Sequence, residues 1–229
     1  MYLTQNHFRK IISIGIELTT EKDRNKLLNK ILEESMNVTN CDAGTLYVLE
    51  NNALKFKVMK TLSMGVSRGE DGEEIDLPPV PLKEENVCAY SAIHQKVINI
   101  EDVWSSETFD FSGPKKYDAM TGYHTQSLLV IPLANHEGEV IGVVQLINAL
   151  DGEDKIVVFD KEYEFIILSL ASQAAIAISN MRYTEELKEQ MWSFTEALAT
   201  AIDERTPYNA THTRKVADYS GILVDELNR

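Results

Sequence analysis

Apolar residues recur at helical spacing from about Leu3 to Leu18, at Phe8, Ile11, Ile12, Ile14, Ile16 and Leu18. A second helix is better marked: Thr20 reads as its N-cap with Asp23 three residues on, and Leu27, Leu28, Ile31, Leu32, Met36 and Val38 form one stripe ending near Asn40. The period then falls to two. Ala43–Leu49, the turn Asn51-Asn52 and Ala53–Met59 predict a β-hairpin with Leu54, Phe56 and Val58 on one face. A long loop runs from Gly65 to Pro81, followed by a short helix over Asn86–His94 and a strand over Val97–Ile100. Another loop carries Trp104, Phe109, Phe111 and Tyr117 and ends at Thr121-Gly122-Tyr123. Ser127–Leu133 and Val140–Asn148 are nearly continuous apolar strands around the turn His136–Glu139, so both of their faces are covered. The last pattern is helical again, from about Phe159 to Glu204, and breaks at Thr206-Pro207.

Antiparallel strands between early helices and a long late helix predict an α+β fold, with helices on one face of the sheet and ligand-covering loops on the other. About 45 residues of helix at ~1.5 Å each would span roughly 70 Å, too long for one compact domain. Leu170, Ala174, Ala177 and Met181 follow a four-three-four spacing, and Leu187, Met191, Phe194, Leu198 and Ala201 follow another, with a phase slip between them. The second run has no domain of its own to cover it, so a parallel homodimer through this helix and the N-terminal one is expected. The expected organisation is an N-terminal helix (1–19), a sensor domain (20–180), a coiled-coil-like linker helix (181–205) and the start of a further domain (206–229).

Charge narrows the partners. A net charge of −14 argues against a nucleic-acid groove or a polybasic membrane patch. Glu70, Asp71, Glu73, Glu74 and Asp76 lack the ligand spacing of a calcium loop and read as a solvated loop. Two cysteines, Cys41 and Cys88, show no metal-ligand spacing. No signal peptide opens the chain and no stretch approaches the ~20 apolar residues of a membrane span, so a reduced cytoplasmic location is expected.

A ligand pocket is expected between the sheet and the segment Asn86–Tyr123, with Tyr47, Phe56, Asn86, Asp102, Tyr117, Thr121, Tyr123 and Gln145 as candidates. Gln145 is the sharpest, a lone amide in Val-Val-Gln-Leu-Ile. Either a ligand or a neighbouring backbone group must satisfy it once buried. Tyr117, Thr121 and Tyr123 equally suit loop packing. His94 and His124 mark no flat apolar slot for haem. Cys88 opens the short helix, where the helix dipole would lower its pKa, while burial would make it an inert core residue.

The run Asp118-Ala-Met-Thr-Gly-Tyr-His-Thr-Gln-Ser-Leu-Leu-Val-Ile-Pro-Leu, with Gly-Glu-Val-Ile-Gly-Val-Val-Gln-Leu-Ile-Asn-Ala after it, resembles the GAF domain, a small-ligand sensor fold of phosphodiesterases, phytochromes and bacterial signalling proteins. The likeness runs from about Leu18 to Ile178. Cyclic-nucleotide-binding members carry an Asn-Lys…Phe…Asp-Glu signature, which Asn148 and Phe159 fit, with Asp160 or Glu162 as the nearest acids. Ala149 stands where the lysine belongs, which argues against cyclic AMP or GMP. Cys88 is followed by Ala89, so the Cys-His pair that attaches a bilin is missing. The stretch from Ala201 to Tyr219 is similar to the start of an HD-GYP domain, a metal-dependent phosphohydrolase family acting on cyclic di-GMP, with His212 at the family's first metal-ligand position and Tyr208 where some members have an acid.

The resemblance implies a bacterial, non-catalytic, dimeric sensor module that takes a small ligand, needs no cofactor of its own and controls a C-terminal HD-GYP domain. That domain would hold an iron- or manganese-type divalent metal; His212 alone would hold none. Two other readings stand beside it: a ligand-free GAF dimerisation scaffold, and a methionine sulfoxide reductase of the same fold using its cysteines.

Overall fold

The computed structural model describes residues 5–135, 137–205 and 212–227. Residues up to Met181 form one unit and residues from Arg182 another. The first unit opens with α1 (Gln5–Thr20) and α2 (Arg24–Thr39). Asp23, not Thr20, caps α2: its Oδ1 accepts from the Asn25 and Lys26 amides at 2.9 and 3.1 Å. Thr20 instead ends α1, its hydroxyl donating back to the Glu17 carbonyl, because a threonine inside a helix can satisfy itself on the preceding turn.

The sheet runs β3-β2-β1-β7-β6-β5, all antiparallel, with β1 (Cys41–Glu50), β2 (Ala53–Thr61), β3 (Val66–Arg68), β5 (Ile98–Ile100), β6 (Leu128–Ala134) and β7 (Val140–Leu150). Two further short strands complete it, β4 (Val80–Pro81) on β2 and β8 (Ile156–Val157) on β7; like β3, which lies in the predicted Gly65–Pro81 loop, they are not foreseen by the sequence pattern. Asn51 and Asn52 both take positive φ, as a two-residue hairpin turn requires. A bulge corrects the predicted face of β2. Leu46 pairs with Val58 but Tyr47 pairs with Phe56, so Lys57 is the extra residue. Leu54 and Phe56 therefore pack on one side of the sheet and Val58 on the other.

Two cores result. One lies between the sheet and α1, α2 and the first half of α5 (Lys161–Arg205); its largest buried side chains include Leu27, Leu32, Leu46, Leu129, Ile131, Leu146, Phe159 and Ile167. The other lies under α3 (Val87–His94) and the loops after it, around Tyr47, Leu54, Val103, Phe111, Leu128, Val130 and Val143. The two faces are thus helical and loop-covered as expected. The loop face nevertheless gains a helix that the pattern hid: α4 (Ser112–Thr121) contains Gly113 and Pro114 in its first turn, where proline loses no hydrogen bond. At Gly142 the strands approach so closely that a Cβ would sit 2.1 Å from the Tyr47 carbonyl oxygen.

The acidic loop is not merely solvated. Lys60, with its side chain only 9% exposed, pairs with Glu33 and Glu70. Glu73 accepts from the Gly69 and Asp71 amides, and Asn29 donates to the Glu70 carbonyl at 2.8 Å.

The second unit comprises α5 from Arg182 onward and α6 (His212–Leu227). Leu187, Met191, Trp192, Phe194 and Leu198 are exposed on the first, and Tyr219, Ile222 and Leu223 on the second. The break at Thr206-Pro207, Tyr208 and the His212 side chain lie outside the described residues. The expected absence of a bilayer-length apolar stretch does not hold for α5, which is long and apolar enough by composition; half of that stretch is buried against the rest of the protein, as in a globular core helix.

Candidate functional site

On the loop face of the sheet, β1 and β7 place the buried polar side chains of Thr45, Tyr47 and Gln145 among apolar neighbours. Successive strand residues alternate faces, so Thr45 and Tyr47 on β1, and Val143, Gln145 and Ile147 on β7, point the same way. The Tyr47 hydroxyl donates to Gln145 Oε1 at 2.9 Å, and both residues are buried. Gln145 thus finds its partner in a side chain rather than in the backbone. Burial first, then the neighbouring Cys88 thiol, pushes the Tyr47 pKa well above the tyrosine range, which keeps the hydroxyl a donor. Phe56 lies against Tyr47, ring centroids 4.7 Å apart. Cys88 is buried and its thiol is pushed up to about 12, so burial overrides any helix-dipole effect. Cys41, pushed up to about 11 by burial, sits in the other core.

Asn86 caps α3, its Oδ1 accepting from the Cys88 and Ala89 amides at 2.9 and 3.2 Å. Asp102 closes a turn in the same way, accepting from the Trp104 amide at 2.8 Å. Thr121 donates to the Tyr117 carbonyl at 2.8 Å within α4. These side chains shape the cover over the sheet. The Tyr47, Phe56 and Gln145 side chains come together beneath it, while Tyr123 reaches a separate polar centre.

That centre was not singled out from sequence. Asn148, buried and at φ 58°, donates to the Tyr123 hydroxyl at 3.0 Å and to the His124 carbonyl at 2.7 Å, while its Oδ1 accepts from the Gln126 amide at 2.8 Å. Tyr123 in turn donates to Asp42 Oδ2 at 2.8 Å, and Asp42 accepts from the Ser63 amide and hydroxyl. Burial, with the Asp42 carboxylate behind it, raises the Tyr123 pKa. Asp118 holds the same segment, accepting from the Thr125 amide and hydroxyl at 2.7 and 2.9 Å. A lone asparagine closing an apolar strand was the available clue. Ala149, the next residue, is buried in the helix-face core. His94 bonds Glu84 and His124 stacks on Trp104, both at the surface. Among the described residues no group of three potential metal ligands converges.

The arrangement can hold a ligand by apolar contact and one or two hydrogen bonds; it contains no nucleophile–base pair. The sequence model of the GAF domain matches residues 23–178. A dual 3',5'-cyclic-AMP and -GMP phosphodiesterase 11A of Takifugu rubripes is 26% identical over 186 residues, covering 78% of this chain and 19% of that protein. A dual phosphodiesterase 11 of Drosophila melanogaster is 28% identical over 150 residues, covering 62% of the chain and 10% of its own length. The chain therefore spans at most about a fifth of these relatives. The GAF domain of an Acinetobacter phosphoenolpyruvate-protein phosphotransferase shares the fold at a TM-score of 0.60 and 14% identity, covering 80% of this chain and 99% of that one. An antiparallel sheet with helices on one face and a polar pair under loops on the other, matched over residues 23–178, makes this chain a member of the GAF domain family of small-ligand-sensing regulatory modules.

Proposed function

We propose that the chain is the sensor of a dimeric phosphodiesterase regulated by a small ligand bound on the loop face of the GAF sheet. The observation that carries this is the Tyr47–Gln145 pair, a hydrogen-bonded polar couple set beside Leu54, Val130 and Val143 beneath the loop cover. A ligand with a polar edge and a flat apolar body would suit it. The output domain is proposed to be of the HD-GYP type, on the likeness of the segment around His212, with cyclic di-GMP as its substrate. The phosphodiesterase relatives support regulation of a phosphodiesterase in general terms. Ala149 disfavours cyclic AMP and GMP as the sensed ligand.

Dimerisation is proposed through the exposed residues Leu187, Met191, Phe194 and Leu198. The location is proposed to be cytoplasmic. A reductase role is disfavoured because the two thiols sit in separate cores with raised pKa values.

A thermal-shift screen of cyclic mononucleotides, cyclic di-GMP and common metabolites tests the sensor. A true ligand at a hundredfold excess over its Kd stabilises by ~2.7 kcal/mol, and Gln145→Ala should abolish that shift. A screen without hits favours the scaffold reading. Sedimentation of a monomer at high micromolar concentration would remove the dimer.

A further inference from the structure

The stretch of α5 in the second unit carries an exposed apolar series with a period of its own. Tyr183, Leu187, Met191, Phe194, Leu198 and Ile202 are 39–70% exposed. They step four, four, three, four and four residues, so each of the first three recurs eleven residues on: Tyr183 as Phe194, Leu187 as Leu198, Met191 as Ile202. Eleven residues in three turns is about 3.67 per turn, slightly more than the ~3.6 of a straight helix, so a seam of this period winds two helices gently to the right. A heptad seam, at ~3.5, winds them to the left. The two frames share Leu187, Met191, Phe194 and Leu198 and part only at the ends. Heptads place Thr184 and Ala201 in the seam, whereas the eleven-residue frame places Tyr183 and Ile202 there. The second choice removes far more apolar surface from water, which is what drives such association.

Charge selects the occupant. Two copies at −14 each repel, and a parallel, in-register pair would set any acid on the seam against its own copy. The acids of this stretch avoid the seam. At ~100° per residue, Glu185, Glu186, Glu189 and Glu196 project roughly 110–170° away from its mean direction. Glu186 is held on that far side by Arg182, 3.7 Å away. From Gln190 to Ile202 the single charged residue is Glu196, so the seam there is neutral on both flanks. Trp192, though exposed, also projects away from it, by roughly 130°. A lipid surface fits this helix poorly, because its polar face is mainly acidic where membrane-surface helices are rich in lysine and arginine.

We infer, resting on the dimerisation proposed above, that this stretch pairs with the same stretch of a second copy, parallel and in register, along an eleven-residue seam that includes Tyr183 and Ile202. Single cysteines introduced into the full chain test the seam, since Cys41 and Cys88 are buried. A disulfide forms only where the two Cβ atoms approach to about 3.5–4.5 Å, as they do across a seam. Under mild oxidation Tyr183→Cys and Ile202→Cys should therefore yield covalent dimer severalfold faster than their neighbours Thr184→Cys and Ala201→Cys. The reverse order, or equal rates within each pair, would overturn the inference while leaving the dimer standing. A second measurement avoids oxidation: in sedimentation equilibrium Ile202→Ala should raise the dimer Kd by about tenfold or more, and Thr184→Ala should leave it nearly unchanged. Equal or opposite effects would overturn the seam as well. An unsubstituted chain that sediments as a monomer at high micromolar concentration would remove the dimer itself, and the seam with it.

Discussion

Replacing Asn148 tests whether the loop cover is held to the sheet by one side chain. The amide makes three hydrogen bonds, to Tyr123, His124 and Gln126, at 2.7–3.0 Å, and is 2% exposed. Each is worth about 1 kcal/mol net, so Asn148→Ala loses about 3 kcal/mol. Alanine at φ 58° adds about 1 kcal/mol of left-handed strain, for about 4 kcal/mol in all. Asn148→Gly loses the same bonds without that strain and should be roughly 1 kcal/mol milder. At about 2–4 °C per kcal/mol for a domain of this size, the alanine variant should melt about 8–16 °C lower. Trp104 offers the probe, since its indole donates to the Thr125 carbonyl and stacks on His124. A Trp192→Phe background isolates its fluorescence for urea unfolding. A loss under about 1.5 kcal/mol (roughly half the hydrogen-bond sum), or glycine as damaging as alanine, would refute the reasoning.

Three further outcomes follow from the same geometry. Glu50 is desolvated, which raises its pKa, but Lys57 and Lys55 outweigh this and lower it; Lys60 lowers that of Glu70. A depressed carboxylate stabilises above its unfolded value, about 4.3, and loses that contribution as pH falls through the folded one. Thermal melts should therefore worsen below about pH 4, and less steeply in Glu50→Gln. Cys41 and Cys88 should resist a thiol reagent at pH 8 in the native protein and react fully in denaturant, because both are buried with pKa values near 11 and 12; rapid native labelling would revive the reductase reading. Gly142→Ala should destabilise by about 1–3 kcal/mol in urea melts, since its Cβ must displace the Tyr47 backbone.

The elements with long, clean periodicity were legible: both early helices, the hairpin, β6, β7 and α5 all lie within a few residues of their apolar patterns. What escaped notice was decided by tertiary contacts. The strands β4 and β8 are two residues each, held by partners distant in sequence rather than by their own pattern. The α2 cap went to Asp23 because Thr20 satisfied itself within α1. At the site, Gln145 was legible as an amide in an apolar run, but its partner, Tyr47, is 98 residues away. Asn86 and Asp102 read as pocket polars, yet each has a local backbone amide to cap. Asn148 was visible only as part of a likeness, not as the centre of a network.

One inserted residue ties these observations together. In a regular strand Leu54, Phe56 and Val58 would share a face, and Val58 would then add to the loop-face core beside Tyr47. The bulge at Lys57 turns Val58 into the helix-face core and leaves Phe56 against Tyr47. It also sets Lys57 beside Glu50 with Lys55, on the strand edge where the acidic loop arches over. The contact of Phe56 with Tyr47 and the pairing of Lys57 with Glu50 therefore depend on the same local twist of β2.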